Sequence, residues 1–401
     1  MRILVQKFGG TSVASPEARA CVVEKIRQAL KKGFMPVVVV SAMGRKGDNY
    51  ATDTLIGLAR EACRNIAQRE LDHIMYCGEM ISAVIMTGFL QAAGIDAVMM
   101  TGGQAGIVTD NRFTNARVLN VDPTKINNQL RLGRVPVVCG FQGMTADGEF
   151  TTLGRGGSDT SASLLGAALD AELIEIYTDV EGIMTADPRI VKNAKILDVI
   201  SYGEVAQLAY QGAKVIHPRA VEIAAQKNIP LVIKSTFSDA PGTMIVKECH
   251  EQTVTDRLAT GVTHLPNIAQ IKVDVDDVKT HKESSVIFRT LADAAISVDL
   301  INVHPGHVMF TVAEEMADEA IAKLTSLGYN AEVNHDCAKV SVVGGGICGV
   351  PGVMASFTEA LSMYNIPIMQ TVDSHTTISV LVKLSDVETA VKALHEKFLL
   401  A

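Results

Sequence analysis

The sequence predicts an α/β protein in two parts: a mainly parallel sheet with helices on both faces, then a tandem pair of small α/β units. Three observations carry this. Over the first 245 or so residues, short β-rich runs alternate with longer helical patterns, the signature of strand-helix crossovers. Glycine-rich segments follow several of those runs, at the strand ends where such sheets bind ligands. Beyond about residue 260 the chain repeats itself at an offset of 70 residues.

Taken in order, the apolar run Arg2-Ile3-Leu4-Val5 is the first strand, followed by a helix over Pro16–Lys32. Val37–Ser41, Val135–Gly140, Leu173–Thr178 and Pro230–Ser235 are short, β-rich and bounded by turn residues, so they are predicted as buried strands. Met80–Ala93, Pro123–Leu132, Thr160–Leu169 and Ser201–Tyr210 are predicted as helices. The last opens on a capping box, Ser201 with Glu204. In the final third, the offset pairs Leu291 with Leu361, Ile296 with Ile366, Val298 with Ile368, Phe310 with Val380, Ala320 with Ala390 and Leu324 with Leu394. Each copy reads strand, helix, strand, strand, helix and a closing strand. With only two copies the arrangement is a domain pair and not a solenoid.

Composition narrows the function. The chain has 401 residues, 48% of them hydrophobic, and a net charge of −8 with no basic block. Nucleic-acid and anionic-membrane binding therefore lack an electrostatic basis. Seven scattered cysteines without a CxxC pair predict reduced thiols, most of them small core residues, and neither disulfides nor zinc. The short run before Gln6-Lys7 leaves no room for a signal-peptide core, and no apolar run is long enough to span a membrane, so a soluble cytoplasmic protein is expected.

The first strand ends in Lys7-Phe8-Gly9-Gly10-Thr11-Ser12. A Walker loop carries its lysine after the glycines; here the lysine comes first. Glycine amides and the Thr11 or Ser12 hydroxyls can still meet a phosphate, with Lys7 a point charge at the strand end. A plain β-turn with an exposed lysine is the alternative. Leu153-Gly154-Arg155-Gly156-Gly157-Ser158-Asp159-Thr160 leads three glycines and good N-cap types into an Ala/Leu helix, an anion site in which Arg155 can grip a carboxylate. Asp159, poorly suited to an anion, could orient Lys7 or bias its charge; a plain helix cap is the alternative, though a cap needs neither the Arg nor three glycines. Glu79 opens a helix; it either faces the helix dipole or pairs with a substrate ammonium. Ser41, and Thr52 beyond a Gly/Lys/Asp loop, offer hydroxyls at the same edge. Thr178-Asp179, the Ile183–Arg189 loop and Lys214 offer polar groups after a buried strand.

Together VQKFGGTSV, VVVSAMG, CGEMIS, TTLGRGGSDTSA, YTDVEGIMTADPR and GAKVIHPRA resemble the aspartate kinases of the amino acid kinase superfamily, in that family's order and over essentially the whole chain. The resemblance implies an amino acid kinase-like three-layer αβα domain over 1–245, a linker at 246–264, and ferredoxin-like (βαββαβ) ACT domains at 265–335 and 336–401. It implies phosphorylation of L-aspartate to 4-phospho-L-aspartate by ATP with Mg²⁺, the first step toward lysine, diaminopimelate, threonine and methionine. Lys7 and Asp159 would then be catalytic. Lys7, Gly9, Gly10, Ser41, Thr178, Asp179, Ile183, Asp187, Arg189 and Lys214 would bind the nucleotide. Thr52, Glu79, Arg155, Gly156 and Ser158 would bind the substrate, with Mg²⁺ held by phosphates and water and no protein metal cage. The paired ACT units imply a homodimer, or a tetramer, and a feedback amino acid. In that role Asp293, Ile296 and Gln370 are effector-site residues, Asp293 having a solvated helix end as its alternative. The segment Gln370–Ile378 resembles the diaminopimelate-sensitive isoforms, with lysine and threonine as the other candidates. Arg257–His264 is expected to lend a strand to the second ACT unit. The rival reading is a non-catalytic amino-acid sensor, but a decayed site would lack some of Lys7, Glu79, Arg155 and Asp159, and all are present.

Overall fold

A computed structural model describes residues 1–213, 215–247, 258–277, 279–347, 349–398 and 400. Lys214, Cys249, Cys348 and part of the 246–264 linker lie outside them. The chain divides into two compact units, one built from 1–183, 196–209 and 214–251, the other from 184–195, 210–213 and 252–401.

The first unit is built on an eight-stranded sheet in the order Val199–Ser201, Thr243–Val246, Leu231–Ser235, Leu173–Thr178, Ile3–Phe8, Met35–Val40, Val135–Cys139, Ala97–Met100. Every pairing is parallel except that between Leu231–Ser235 and Thr243–Val246. Side chains alternate across the sheet. Phe8, Val38, Val40 and Val137 face the helices Pro16–Lys31 and Gln68–Ala92, packing on Val22, Ile26, Ala83, Met86 and Leu90. The opposite face carries helix Gly157–Ala168, whose Gly166 sits so close to Ile174 that an added Cβ would lie 2.5 Å from that side chain. Lys7, one residue out of phase with Phe8, therefore projects on the Gly157–Ala168 side. A small four-stranded sheet, Val118–Val121, Ile107–Thr109, Gln142–Thr145 and Phe150–Thr152, completes the unit.

Local signals explain the helix ends. Ser15 accepts a hydrogen bond from the Ala18 N–H at 3.2 Å, with Pro16 in the first turn. Ser201 and Glu204 form the expected box, Glu204 N–H to Ser201 Oγ at 3.3 Å and Ser201 N–H to Glu204 Oε2 at 3.2 Å. Expectations about one helix and about the cysteines are corrected. The helix predicted from Met80 begins at Gln68, because the polar stretch Gln68–Cys77 hides its apolar face at Leu71, Met75 and Tyr76. With 25 residues it is also long and apolar enough to cross a membrane, contrary to expectation, yet it is a half-buried core helix carrying buried Asp72 and Glu79. Of the five cysteines described only Cys139 and Cys337 are buried; Cys63 and Cys77 are exposed, and none is bridged.

In the second unit a six-stranded sheet runs Asp299–His304, His307–Ala313, Gly261–Asp274, Ala331–Val343, Thr377–Lys383, Gln370–Asp373. The 70-residue offset is structural: strand His307–Ala313 maps onto Thr377–Lys383, and helix Ala317–Ser326 maps onto Val387–Lys397. Ala295 and Asn365 share the offset and a left-handed backbone after equivalent helices, with φ of 57° and 53°. The two long central strands serve both copies. Ile268–Asp274 pairs with His307–Ala313, while Gly261–Leu265 pairs with Lys339–Val343, so the expected lent strand is present from Gly261. Each copy keeps its own core, one around Ile287, Leu291, Phe310 and Leu324, the other around Phe357, Leu361, Val380 and Leu394.

Candidate active site

At the carboxyl ends of the central strands of the first unit lies a cleft of about 780 Å³. It is lined by Lys7, Gly10, Ser41, Thr52, Glu79, Arg155, Gly156, Ser158 and Asp159, which sequence reading had singled out from five separate segments. Lys7 Nζ lies 2.6 Å from Asp159 Oδ1, both side chains largely buried. Asp159 is held in the first turn of helix Gly157–Ala168, and so does not cap it. The cap is Gly156, at φ 68°, where a Cβ would fall 2.2 Å from the His217 ring. Only glycine fits that turn.

The first glycine turn is more occupied than expected. The Gly9 amide donates to Tyr177 O at 3.2 Å, and the Ser12 hydroxyl is buried against Thr236 Oγ1 at 2.6 Å. Neither is free for phosphate, which leaves Lys7 as the turn's main charge. Gly10 is pressed onto the 42–44 loop; a Cβ there would stand 2.6 Å from Gly44 O. The turn thus fixes the strand ends around Lys7.

Glu79 sits mid-helix and not in a first turn, which removes the helix-dipole reading. It is 2% exposed. Its Oε1 accepts the Ala42 N–H at 3.1 Å, and Oε2 has no partner among the described residues. Burial pushes its carboxyl up to about 8, the Ala42 bond offsetting little. A buried carboxylate oxygen without a donor, on a cleft wall, is a ready partner for a cation.

Residues that the sequence did not single out build the wall. Asp72, fully buried, accepts from Thr114 N–H at 2.9 Å, Thr152 N–H at 3.1 Å and Thr152 Oγ1 at 2.6 Å. It ties the helix to the strand that precedes Gly154-Arg155. Arg60, Arg64, Thr114 and Phe141 also line the cleft. The signal available was spacing: Asp72, Met75, Tyr76 and Glu79 share one helical face.

The other described candidates lie outside that cleft lining. Thr178 Oγ1 bonds Asp179 at 3.1 Å, and Asp179 is ion-paired with Arg45. Ile183 is buried, its N–H on Thr243 Oγ1 at 2.8 Å. Asp187 and Arg189 belong to the second unit and pair with each other at 2.6 Å, which holds Asp187 below the usual carboxylate range. In that unit Asp293 is an exposed last residue of helix Thr280–Asp293, Ile296 is buried in its core, and Gln370 is buried on Gln270 at 2.9 Å. Gln370 also donates to Leu300 O and Asn302 Oδ1.

An open α/β sheet with a lysine-led glycine turn facing a glycine-led helix defines a small-molecule kinase. The amino acid kinase family profile matches residues 2–235, and an ACT domain profile matches residues 332–396. Aspartokinase 1 of Bacillus subtilis (strain 168) is 48% identical over 401 residues, 99% of each chain. Two crystal structures of E. coli aspartokinase III are 26% identical: the R-state with aspartate and ADP (TM-score 0.80, 98% of this chain and 99% of that one) and the T-state with lysine and aspartate (TM-score 0.79, 99% and 100%). The chain belongs to the amino acid kinase family and, within it, to the aspartokinases.

Proposed function

We propose that this aspartokinase carries out its reaction in the Lys7 cleft, and that the chain's own side chains act as follows. An aspartate side-chain carboxylate is already ionised near neutral pH, so the reaction needs no strong base. One of its oxygens forms a bond to the γ-phosphorus of ATP as the bond from that phosphorus to the bridging oxygen breaks. The products are 4-phospho-L-aspartate and ADP. Such transfers are accelerated by positioning and by charge placed on the moving phosphoryl group. Lys7 supplies that charge and Asp159 fixes its direction. Glu79 takes the substrate ammonium on its unpartnered oxygen, Arg155 takes the α-carboxylate in a fork, and Ser41, Thr52, Gly156 and Ser158 close the pocket. Thr178, Asp179, Ile183, Asp187, Arg189 and Lys214 serve the nucleotide, with Gly9 and Gly10 holding the turn.

Mg²⁺ is part of this reading as the nucleotide's ion, where it neutralises phosphate charge. As a small, strongly hydrated ion it would be carried mainly by phosphates and water. The ACT pair is read as the feedback site, with Asp293, Ile296 and Gln370 contacting an amino acid, diaminopimelate ahead of lysine and threonine, in a cytoplasmic homodimer or tetramer. The lysine bound in the E. coli T-state structure supports an amino-acid effector.

The observation that carries the reading is the Lys7–Asp159 pair facing the unpartnered oxygen of Glu79 across one cleft. The test is ATP-dependent formation of aspartyl hydroxamate from L-aspartate and hydroxylamine, alone and with lysine, threonine or meso-diaminopimelate. Product suppressed by one effector supports both halves; no product in any condition restores the sensor reading.

A further inference from the structure

A second cavity of about 510 Å³ in the first unit is lined by Arg112, Asn115, Ala116, Arg117, Val118 and Arg219. Among the described residues three guanidiniums and one amide face it, and no carboxylate lines it. In a chain of net charge −8 such a concentration of one sign is conspicuous. The arginines come from a loop, a strand lead-in and the start of helix Pro218–Gln226, so the pocket is made by folding and not by a basic run.

The charges are only partly matched. Asp110 lies 3.5 Å from Arg112 and accepts the backbone N–H of Arg117 at 2.9 Å. Arg219, half-buried, spends one donor on Leu153 O at 3.0 Å. Burial and then the nearby Arg117 charge disfavour its charged form, which Asp110 offsets. Arg117 makes no side-chain bond to any described residue. Among the described residues three positive charges meet one carboxylate, Asp110, which leaves two uncompensated, and two guanidinium forks with donors to spare converge on one concavity.

We propose that this pocket is an anion site for a phosphoryl dianion, either free phosphate or the phosphate of a small monoester. A doubly charged tetrahedral group matches the uncompensated charge and can use several forks at once, whereas a single carboxylate engages one. The volume suits a small ligand. The site is separate from the catalytic cleft but shares a wall with it. Thr114 lines the cleft and Asn115 lines this pocket, and Asn115 Oδ1 would lie 2.7 Å from a Cβ on Gly154.

The test is calorimetric titration of the full chain with inorganic phosphate and, separately, with AMP, at constant ionic strength. Lys7→Gln suppresses phosphate binding in the catalytic cleft. The double variant R112Q/R117Q removes two forks whose one described side-chain partner is Asp110, 3.5 Å from the exposed Arg112, and an unchanged Tm shows that it folds. Phosphate binding that survives Lys7→Gln and weakens at least about ten-fold in R112Q/R117Q supports the site. Tighter binding of AMP than phosphate through the same arginines assigns it to monoesters; the reverse assigns it to the free ion. Binding that disappears with Lys7→Gln, persists in R112Q/R117Q, or is absent at millimolar phosphate in every arm overturns it.

Discussion

Lys7 Nζ and Asp159 Oδ1 stand 2.6 Å apart, joining the first strand to the first turn of a helix 150 residues later in the chain. Strand alternation aims Lys7 at that helix, and the left-handed Gly156 starts the helix where Asp159 can meet it. If the pair places charge on the moving phosphoryl group, Lys7→Ala lowers kcat by about a thousand-fold or more in a chain that still folds. Asp159→Asn leaves the lysine charged but unguided and costs about ten- to a hundred-fold in kcat. Steady-state kinetics on the two variants decide this; near-normal turnover in Lys7→Ala removes the account of the first glycine motif.

Gly10 is held by space and not by φ. Its Cβ would stand 2.6 Å from Gly44 O and 2.8 Å from Ala42 O, both backbone atoms. Gly10→Ala must therefore displace the 42–44 loop, costing about 1–3 kcal/mol. Because the Ala42 N–H holds Glu79, KM for aspartate rises as well. Thermal unfolding and kinetics read the two effects separately, and a Gly10→Ala enzyme with unchanged Tm contradicts the packing.

Much of this site was legible because charge and glycine directly follow β-rich runs, as at Lys7-Phe8-Gly9-Gly10 and Gly154-Arg155-Gly156. There the chain must turn at a strand end, and a charged residue at such a turn has a cleft to face. The domain pair was legible because the buried positions recur: Leu291 with Leu361, Leu324 with Leu394. Glu79 was half legible. Its residue type was informative, but the polar start of its helix hid where on the helix it lay. Asp72 was not legible, since a carboxylate on a polar helix turn reads as solvated until folding brings Thr114 and Thr152 onto it. Nor does sequence reveal that the Gly9 amide and Ser12 hydroxyl are consumed by Tyr177 and Thr236, partners more than 160 residues away.

Asp72 carries the next prediction. Asp72→Asn turns one accepting oxygen into a donor amide facing the N–H groups of Thr114 and Thr152, leaving at least one buried donor unmatched. The cost is about 2–3 kcal/mol of stability. The wall bearing Thr114 and leading to Arg155 loosens, so KM for aspartate rises more than kcat falls. Denaturant unfolding with kinetics checks both; an unchanged KM would confine Asp72 to stability.

Gln370 links the outer strand of the second ACT copy to Gln270, Leu300 and Asn302. Under the effector reading, Gln370→Ala keeps uninhibited turnover and weakens inhibition by the effector at least about ten-fold, through the loss of buried hydrogen bonds. The measurement is the inhibition curve for meso-diaminopimelate, lysine and threonine. Curves that overlay those of the unmodified chain place the effector elsewhere.

Glu79 gives the pH prediction. Its ordinary value is 4.5 and burial raises it to about 8, so near pH 7 the empty cleft holds it protonated. The folded state then binds a proton that the unfolded state lacks. Glu79 therefore contributes stability below about pH 4.5 that is lost as pH rises toward 8. Binding of an ammonium at its free oxygen favours the carboxylate and reverses the burial effect. Aspartate binding should accordingly release close to one proton near pH 7, and affinity should climb as pH rises toward 8. Calorimetry in buffers of different ionisation enthalpy measures the release directly. Glu79→Gln should abolish it while weakening aspartate binding. A release of zero in the unmodified chain, with affinity flat through neutral pH, would mean that Glu79 does not meet the substrate's ammonium, and the substrate would have to lie elsewhere in the cleft.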